Sequence, residues 1–143
     1  MAFTQNTDGT FVKQPRKGLV QIVNADAQAA KTVVTAGASG SKVVSLIATS
    51  NDTSARDVQV ALVRSAVTYI LGVTTVGIGA GTIAATPAVD LLNTTIFPAG
   101  MIAVDNDGQK YLFMESGDTL VVSALATVTA AKTISAHSDF GDF

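Results

Sequence analysis

Residues 101–125 read MIAVDNDGQKYLFMESGDTLVVSAL. Two apolar runs, 101–104 and 109–114, flank Asp105-Asn106-Asp107-Gly108, where Asn and Gly accept positive φ at low cost. That pattern specifies a β-hairpin. Ser116-Gly117-Asp118 supplies the next turn, and 119–125 returns to Leu and Val. Two hairpin turns within 25 residues leave no room for a helical crossover, so this part of the chain predicts antiparallel β structure.

Working outward, the same punctuation recurs. Downstream, 128–134 reads as a further strand, followed by a polar tail. Upstream, Val58, Val60 and Leu62 alternate with Asp57, Gln59 and Ala61, as a half-buried antiparallel strand requires. The run 42–49 is rich in Val, Leu and Ile and follows a turn at 37–41, while Asn51-Asp52-Thr53-Ser54 is a polar loop. Residues 68–76 form another β run, with a bulge or bend expected at Gly72. Residues 19–23 give the first strand, 26–30 allow one helical turn, and Val33 and Val34 return to β preference. Gly77-Ile78-Gly79-Ala80-Gly81 is a loop, and Thr86-Pro87 has the form of an N-cap with proline at the first helical position. One or two helical turns are therefore expected over 87–92. Eight or nine short strands with turns every 8–12 residues or so predict an all-β fold, an antiparallel β-sandwich or jelly-roll-like domain.

Residues 1–17 are polar, with Phe3 and Phe11 as isolated apolar points and Lys13, Arg16 and Lys17 around Pro15. They read as an extended N-terminal arm leading into a single β domain over 18–143. The arm lacks the basic-then-apolar layout of a signal peptide, so export by that route is not expected.

Composition bounds the function. Of the 143 residues, 48% are apolar and only 14% charged, against about 25% charged in an average soluble domain. Ala, Thr, Ser and Gly replace the missing charge, and such a surface repels neighbours weakly. Much of it is expected to be covered by other chains, in a homo-oligomer. A net charge of −2 offers no basic face for a phosphate backbone, so no nucleic-acid partner is expected. Residues 65–89 carry no charge at all, but their four glycines, one proline and five threonines suit strand and loop better than a membrane span.

No motif supplies chemistry. The turn at 105–108 fails as a calcium loop, because the sixth and twelfth positions counted from Asp105 hold Lys110 and Ser116 rather than Gly and Glu. Gly77-x-Gly79-x-Gly81 precedes no long helix, and Gly37 lies too close to Gly40-Ser41-Lys42 for a phosphate loop. The chain has no cysteine. Its one histidine, His137, sits in the polar tail with Ser135, Ser138 and Asp139, where a mobile terminus would not hold a catalytic triad. The aspartates fall in or beside turns, where Asp bonds its own backbone. Catalytic, cofactor and metal sites are all expected to be absent.

Several features in order over 36–143 resemble the head decoration, or cementing, proteins of tailed bacteriophages. They are Ala36-Gly37-x-x-Gly40-Ser41 leading into an apolar strand, Ala48-Thr49-Ser50-Asn51-Asp52, and Ile70-Leu71-Gly72-Val73. Asp90-Leu91-Leu92, the Val104-Asp105-x-Asp107-Gly108 turn, Val128-Thr129-Ala130-Ala131-Lys132-Thr133-Ile134 and the ending Gly141-Asp142-Phe143 complete the set. The resemblance covers about three-quarters of the chain and rests on turn and strand chemistry. It implies a β domain, commonly trimeric, made in the host cytoplasm, that binds the major capsid protein on the outer surface of the virion and ties capsomers together. It brings no catalytic residues. The N-terminal arm matches no motif of the family. On its own composition Phe3 and Phe11 would enter apolar depressions of a shell, and Lys13, Arg16 and Lys17 would pair with its carboxylates. The alternative is that one end of the β domain grips the shell. Other functional classes remain beside this one: a neck, tail or fibre-attachment protein, or a carbohydrate-binding module. The last usually displays exposed aromatics, whereas this chain has no Trp and only Tyr69 and Tyr111.

Overall fold

The structure is a computed structural model and describes residues 12–92, 97, 102–104, 108 and 110–143. Among these the strands are β1 (Gln14–Val23), β2 (Lys31–Thr35), β3 (Ser41–Ser50), β4 (Arg56–Arg64), β5 (Val67–Val76), β6 (Val89–Asp90), β7 (Ala103–Val104), β8 (Lys110–Met114), β9 (Thr119–Ala124) and β10 (Thr133–Asp142). The only helix among the described residues is one 3₁₀ turn, Asn24–Asp26. Every strand pairing is antiparallel. One sheet runs β1-β10-β3-β8-β7 with β6 beside β3, and the other runs β2-β9-β4-β5. The fold is an all-β sandwich, as the turn spacing predicts.

The two sheets share one apolar core. Ile22, Val43, Leu46, Ile134 and Phe140 come from the first sheet, and Val34, Val58, Val60, Leu120 and Val122 from the second. Full burial of each such aliphatic side chain is worth about 1.5–3 kcal/mol. At one side of the sandwich β1 lies against β2. There Gly18 is so close to the neighbouring backbone that an added Cβ would lie 2.0 Å from the Val33 carbonyl oxygen.

The turns follow from local chemistry, with one exception. Gly117 (φ +85°) and Gly108 (φ +78°) take the positive φ expected of them. The β4–β5 hairpin instead turns through Ser65 and Ala66, at φ +51° and +62°, between the paired residues Arg64 and Val67. A two-residue loop with both φ values positive is a type I′ turn, which normally selects Asn-Gly. Halfway along this hairpin the register slips, because Val60 faces Gly72 while Ala61 faces Ile70. Leu71 is the extra residue of a bulge beside Gly72, where the sequence places one.

Five expectations require correction. The strand β1 begins at Gln14, so 14–17 belong to the sheet and not to an arm. Gln14 is in register with Asp142, and the Lys13 amide donates to the Asp142 carbonyl at 2.9 Å. Residues 87–92 are not helical: Val89 and Asp90 pair with Ala48 and Ile47, and the Leu91 amide donates to the Leu46 carbonyl. This arrangement buries Leu91 and Leu92 in the core, which outweighs the cap signal of Thr86-Pro87. The strand expected over 128–134 starts only at Thr133, because Thr129 is drawn into a side-chain network with Asp52. The polar tail is in fact β10, sandwiched between β1 and β3 over ten residues. Ala61, expected on the exposed face, is buried beside Val121.

Candidate interaction surface

The charge-free stretch 65–89 becomes β5 and the loop after it. Among the described residues β5 pairs only with β4, and its outer edge is open to them. Val67, Tyr69, Ile70 and Val73 on β5 are exposed, Ile70 by 60%. The following loop is firmly held. The Ser50 amide donates to the Ala80 carbonyl, the Thr82 hydroxyl donates to the Ser50 carbonyl, both at 2.8 Å, and Ala80 is buried. From this fixed base Ile78 and Ile83 project into solvent, with Ile83 seated against Gly79. Of the eleven large apolar side chains exposed among the described residues, six therefore lie between 67 and 83. Scattered exposed apolar residues are ordinary, but this concentration on an uncharged strand edge marks an interaction surface. The sequence signal was the missing charge itself. Its meaning depended on knowing that β5 is an edge strand.

The basic residues singled out near the N-terminus have different surroundings. Arg16 donates to Asp142 at 2.9 Å and lies over the Phe140 ring, 5.3 Å from its centroid. Lys17 pairs with Asp139 at 2.9 Å. Lys13 is tied through its amide to Asp142, while Phe3 and Phe11 lie outside the described residues. The structure thus brings Lys13, Arg16 and Lys17 together with the C-terminal strand, where Arg16 and Lys17 neutralise carboxylates of their own chain. Burial raises the Asp142 carboxyl, but the Ser41 hydroxyl and the Arg16 guanidinium overcome it, and its pKa falls below the ordinary value. For Asp139 the hydrogen bond from Lys17 does the same against partial burial.

Strand alternation also decides what His137 can do. His137 and Asp139 point outward from β10, whereas Ser138 points inward, is fully buried and donates to the Ser45 carbonyl. Ser138 thus lies on the opposite face of the sheet from His137 and Asp139. On the same outer face Leu19, Gln21, Ser135 and His137 line a shallow groove. At the other end of this sheet Tyr111 and Phe113 meet edge to face at 5.0 Å, Phe143 lies 5.9 Å from Phe113, and Lys42 sits 4.4 Å above Tyr111. Phe113 is half exposed there.

Two aspartates expected in turns are structural anchors. Asp52 is buried and accepts from the Ser54 and Thr129 amides, from Arg56 Nε at 2.9 Å and from the Thr129 hydroxyl at 2.5 Å. Burial raises its pKa, but the Thr129 and Arg56 hydrogen bonds prevail and hold it far below the carboxylate range. Asp118 is likewise buried and takes both arms of Arg64, at 2.7 and 2.6 Å, which lowers its pKa despite burial. Such sites fasten loops to the sandwich. Among the described residues no three His, Asp or Glu side chains are grouped to hold a metal ion, and no helix is long and apolar enough to cross a membrane. No family model, no curated protein and no solved structure matches this chain.

Proposed function

We propose that the protein is a virion structural component, a decoration protein that binds the major capsid protein on the outer surface of a phage head and stabilises contacts between capsomers as a homo-oligomer. The observation that carries the assembly part of this reading is the concentration of exposed apolar side chains on the open, uncharged edge β5 and the loop 77–86. The head as the place of assembly comes from the resemblance in the sequence. A rigid sandwich with one adhesive edge suits a part that is added to a preformed shell. The second contact, toward the shell, falls to the residues before β1, since Arg16 and Lys17 are engaged with Asp142 and Asp139. The eleven residues before Val12, if extended at about 3.3 Å each, would reach roughly 36 Å, enough to touch a neighbouring capsomer. Many weak copies on one shell would then act together.

The test is sedimentation of the purified protein with heads that lack it, followed by heating of the decorated heads. Saturable co-sedimentation and a higher temperature of shell rupture are expected. Failure to bind any such head while bound tail or neck structures carry the protein would overturn the reading. Deleting 2–11, which leaves β1 intact, is expected to abolish binding without unfolding the domain. Undiminished binding by the truncated protein would move the shell contact onto the sandwich.

A further inference from the structure

We infer that β5 pairs antiparallel with β5 of a second copy, joining the two β2-β9-β4-β5 sheets into one eight-stranded sheet about a two-fold axis. The inference rests on the homo-oligomer of the proposed function and names the surface that holds it.

A sandwich of two open sheets has four edges. On one side β1 and β2 lie against each other, so closely that Gly18 has no room for a Cβ against Val33; β1 is ten residues long and β2 five, and each carries a lysine. The edge strand β7 is two residues long. That leaves β5, ten residues long, as the one long edge strand without charge among the described residues. Head-to-tail strand addition would set β5 against a lysine-bearing strand or the two-residue β7, whereas isologous pairing sets no charge opposite it. Strand pairing between copies is therefore isologous, β5 on β5.

Charge supports the same occupant. Like charges facing across a two-fold axis would oppose pairing, and natural edge strands use charge for this purpose. No charged residue occurs anywhere in 65–89. By contrast, β1 carries Arg16 and Lys17 and β2 carries Lys31. A strand with exposed Val67, Tyr69, Ile70 and Val73 and no charge holds no electrostatic signal for a foreign partner. It is complementary to itself. Ten residues at about 3.4 Å and a sheet thickness near 10 Å give a flat contact of at most ~340 Å² per partner. The Leu71 bulge confines the ladder to one side of it, and Ile78 and Ile83 extend the apolar area beyond the strand. At about 680 Å² in total the strand contact alone is smaller than a stable interface, so the dimer is expected to be weak and to depend on concentration.

Static light scattering of the free protein over about 1–100 μM tests this directly. The mass is expected to rise toward about 29 kDa, twice the 14.6 kDa chain. Ile70→Lys and Val73→Lys, both at exposed positions, are expected to hold it at 14.6 kDa with unchanged circular dichroism. Because the chain has no cysteine, single Cys substitutions along 67–75 locate the axis. Directly opposed residues of an antiparallel pair lie about 4.5–5.5 Å apart, within disulfide reach, and only residues next to the axis meet their own copy. Disulfide dimers should therefore form at one narrow position on β5 and not at an exposed control, Leu125→Cys. A monomer at every concentration, a mass near 44 kDa, or full-mass oligomers of Ile70→Lys would each overturn the inference. Loss of head binding by a protein that still dimerises through β5 would remove only the proposed location on a shell.

Discussion

Replacing Asp52 by alanine is expected to be among the most damaging single changes in this protein. The Asp52 side chain is fully buried and accepts four hydrogen bonds, from the Ser54 and Thr129 amides, Arg56 Nε and the Thr129 hydroxyl. These bonds tie the β3–β4 loop to the segment that precedes β10. Alanine would leave the Arg56 guanidinium, itself only 18% exposed, without its carboxylate, and the Thr129 amide without its acceptor. Breaking a buried pair by removing one partner costs about 3–5 kcal/mol. At about 2–4 °C per kcal/mol for a domain of this size, Tm falls by roughly 6–20 °C. Asp57 serves as the control. It is exposed and its side chain accepts only from Thr75 among the described residues, so Asp57→Ala should stay within about 0.5 kcal/mol of the parent. Urea unfolding followed by circular dichroism measures both. If Asp52→Ala and Asp57→Ala prove equally mild, the claim that Asp52 clamps the two segments is refuted.

Four further outcomes follow from the same structure. Ala66→Gly should stabilise the protein by about 1 kcal/mol in urea unfolding, since glycine relieves the left-handed conformation of the I′ turn. Gly18→Ala should destabilise by about 1–3 kcal/mol or more, because the new methyl meets the Val33 carbonyl at the β1–β2 seam; a Tm equal to the parent's would show that the seam is looser than described. Asp52, Asp118, Asp139 and Asp142 all have pKa values lowered by folding, so the folded state binds fewer protons than the unfolded one. Their stabilisation is complete above about pH 5 and drains away as the pH falls further; denaturation midpoints at pH 7, 4 and 3 should decline in that order, less steeply in Asp118→Asn. A chelator should leave Tm unchanged, and a drop of several degrees would reveal a bound ion.

The sequence by itself determined the class of fold, because β alternation and turn chemistry are local properties. The alternation of Val58 and Val60, the glycines at 108 and 117 and the bulge beside Gly72 each act within a few residues, and each is found where the sequence puts it. It also showed a surface short of charge and a stretch, 65–89, with none. What it could not rank were features decided by distant partners. Asp52 and Asp57 look alike as turn aspartates, and only the arrival of Thr129, 77 residues on, makes one of them a buried anchor. The C-terminal residues read as a polar tail because outward-facing Ser135, His137 and Asp139 carry half of the pattern. Pairing with β1 and β3 on both sides makes them a central strand. Thr86-Pro87 announces a helix, but the open flank of β3 and the burial of Leu91 and Leu92 draw the chain into a strand. The same holds for the interaction surface: its lack of charge is written in the sequence, whereas its being an edge is set by sheet order, which depends on which strands meet across the whole chain.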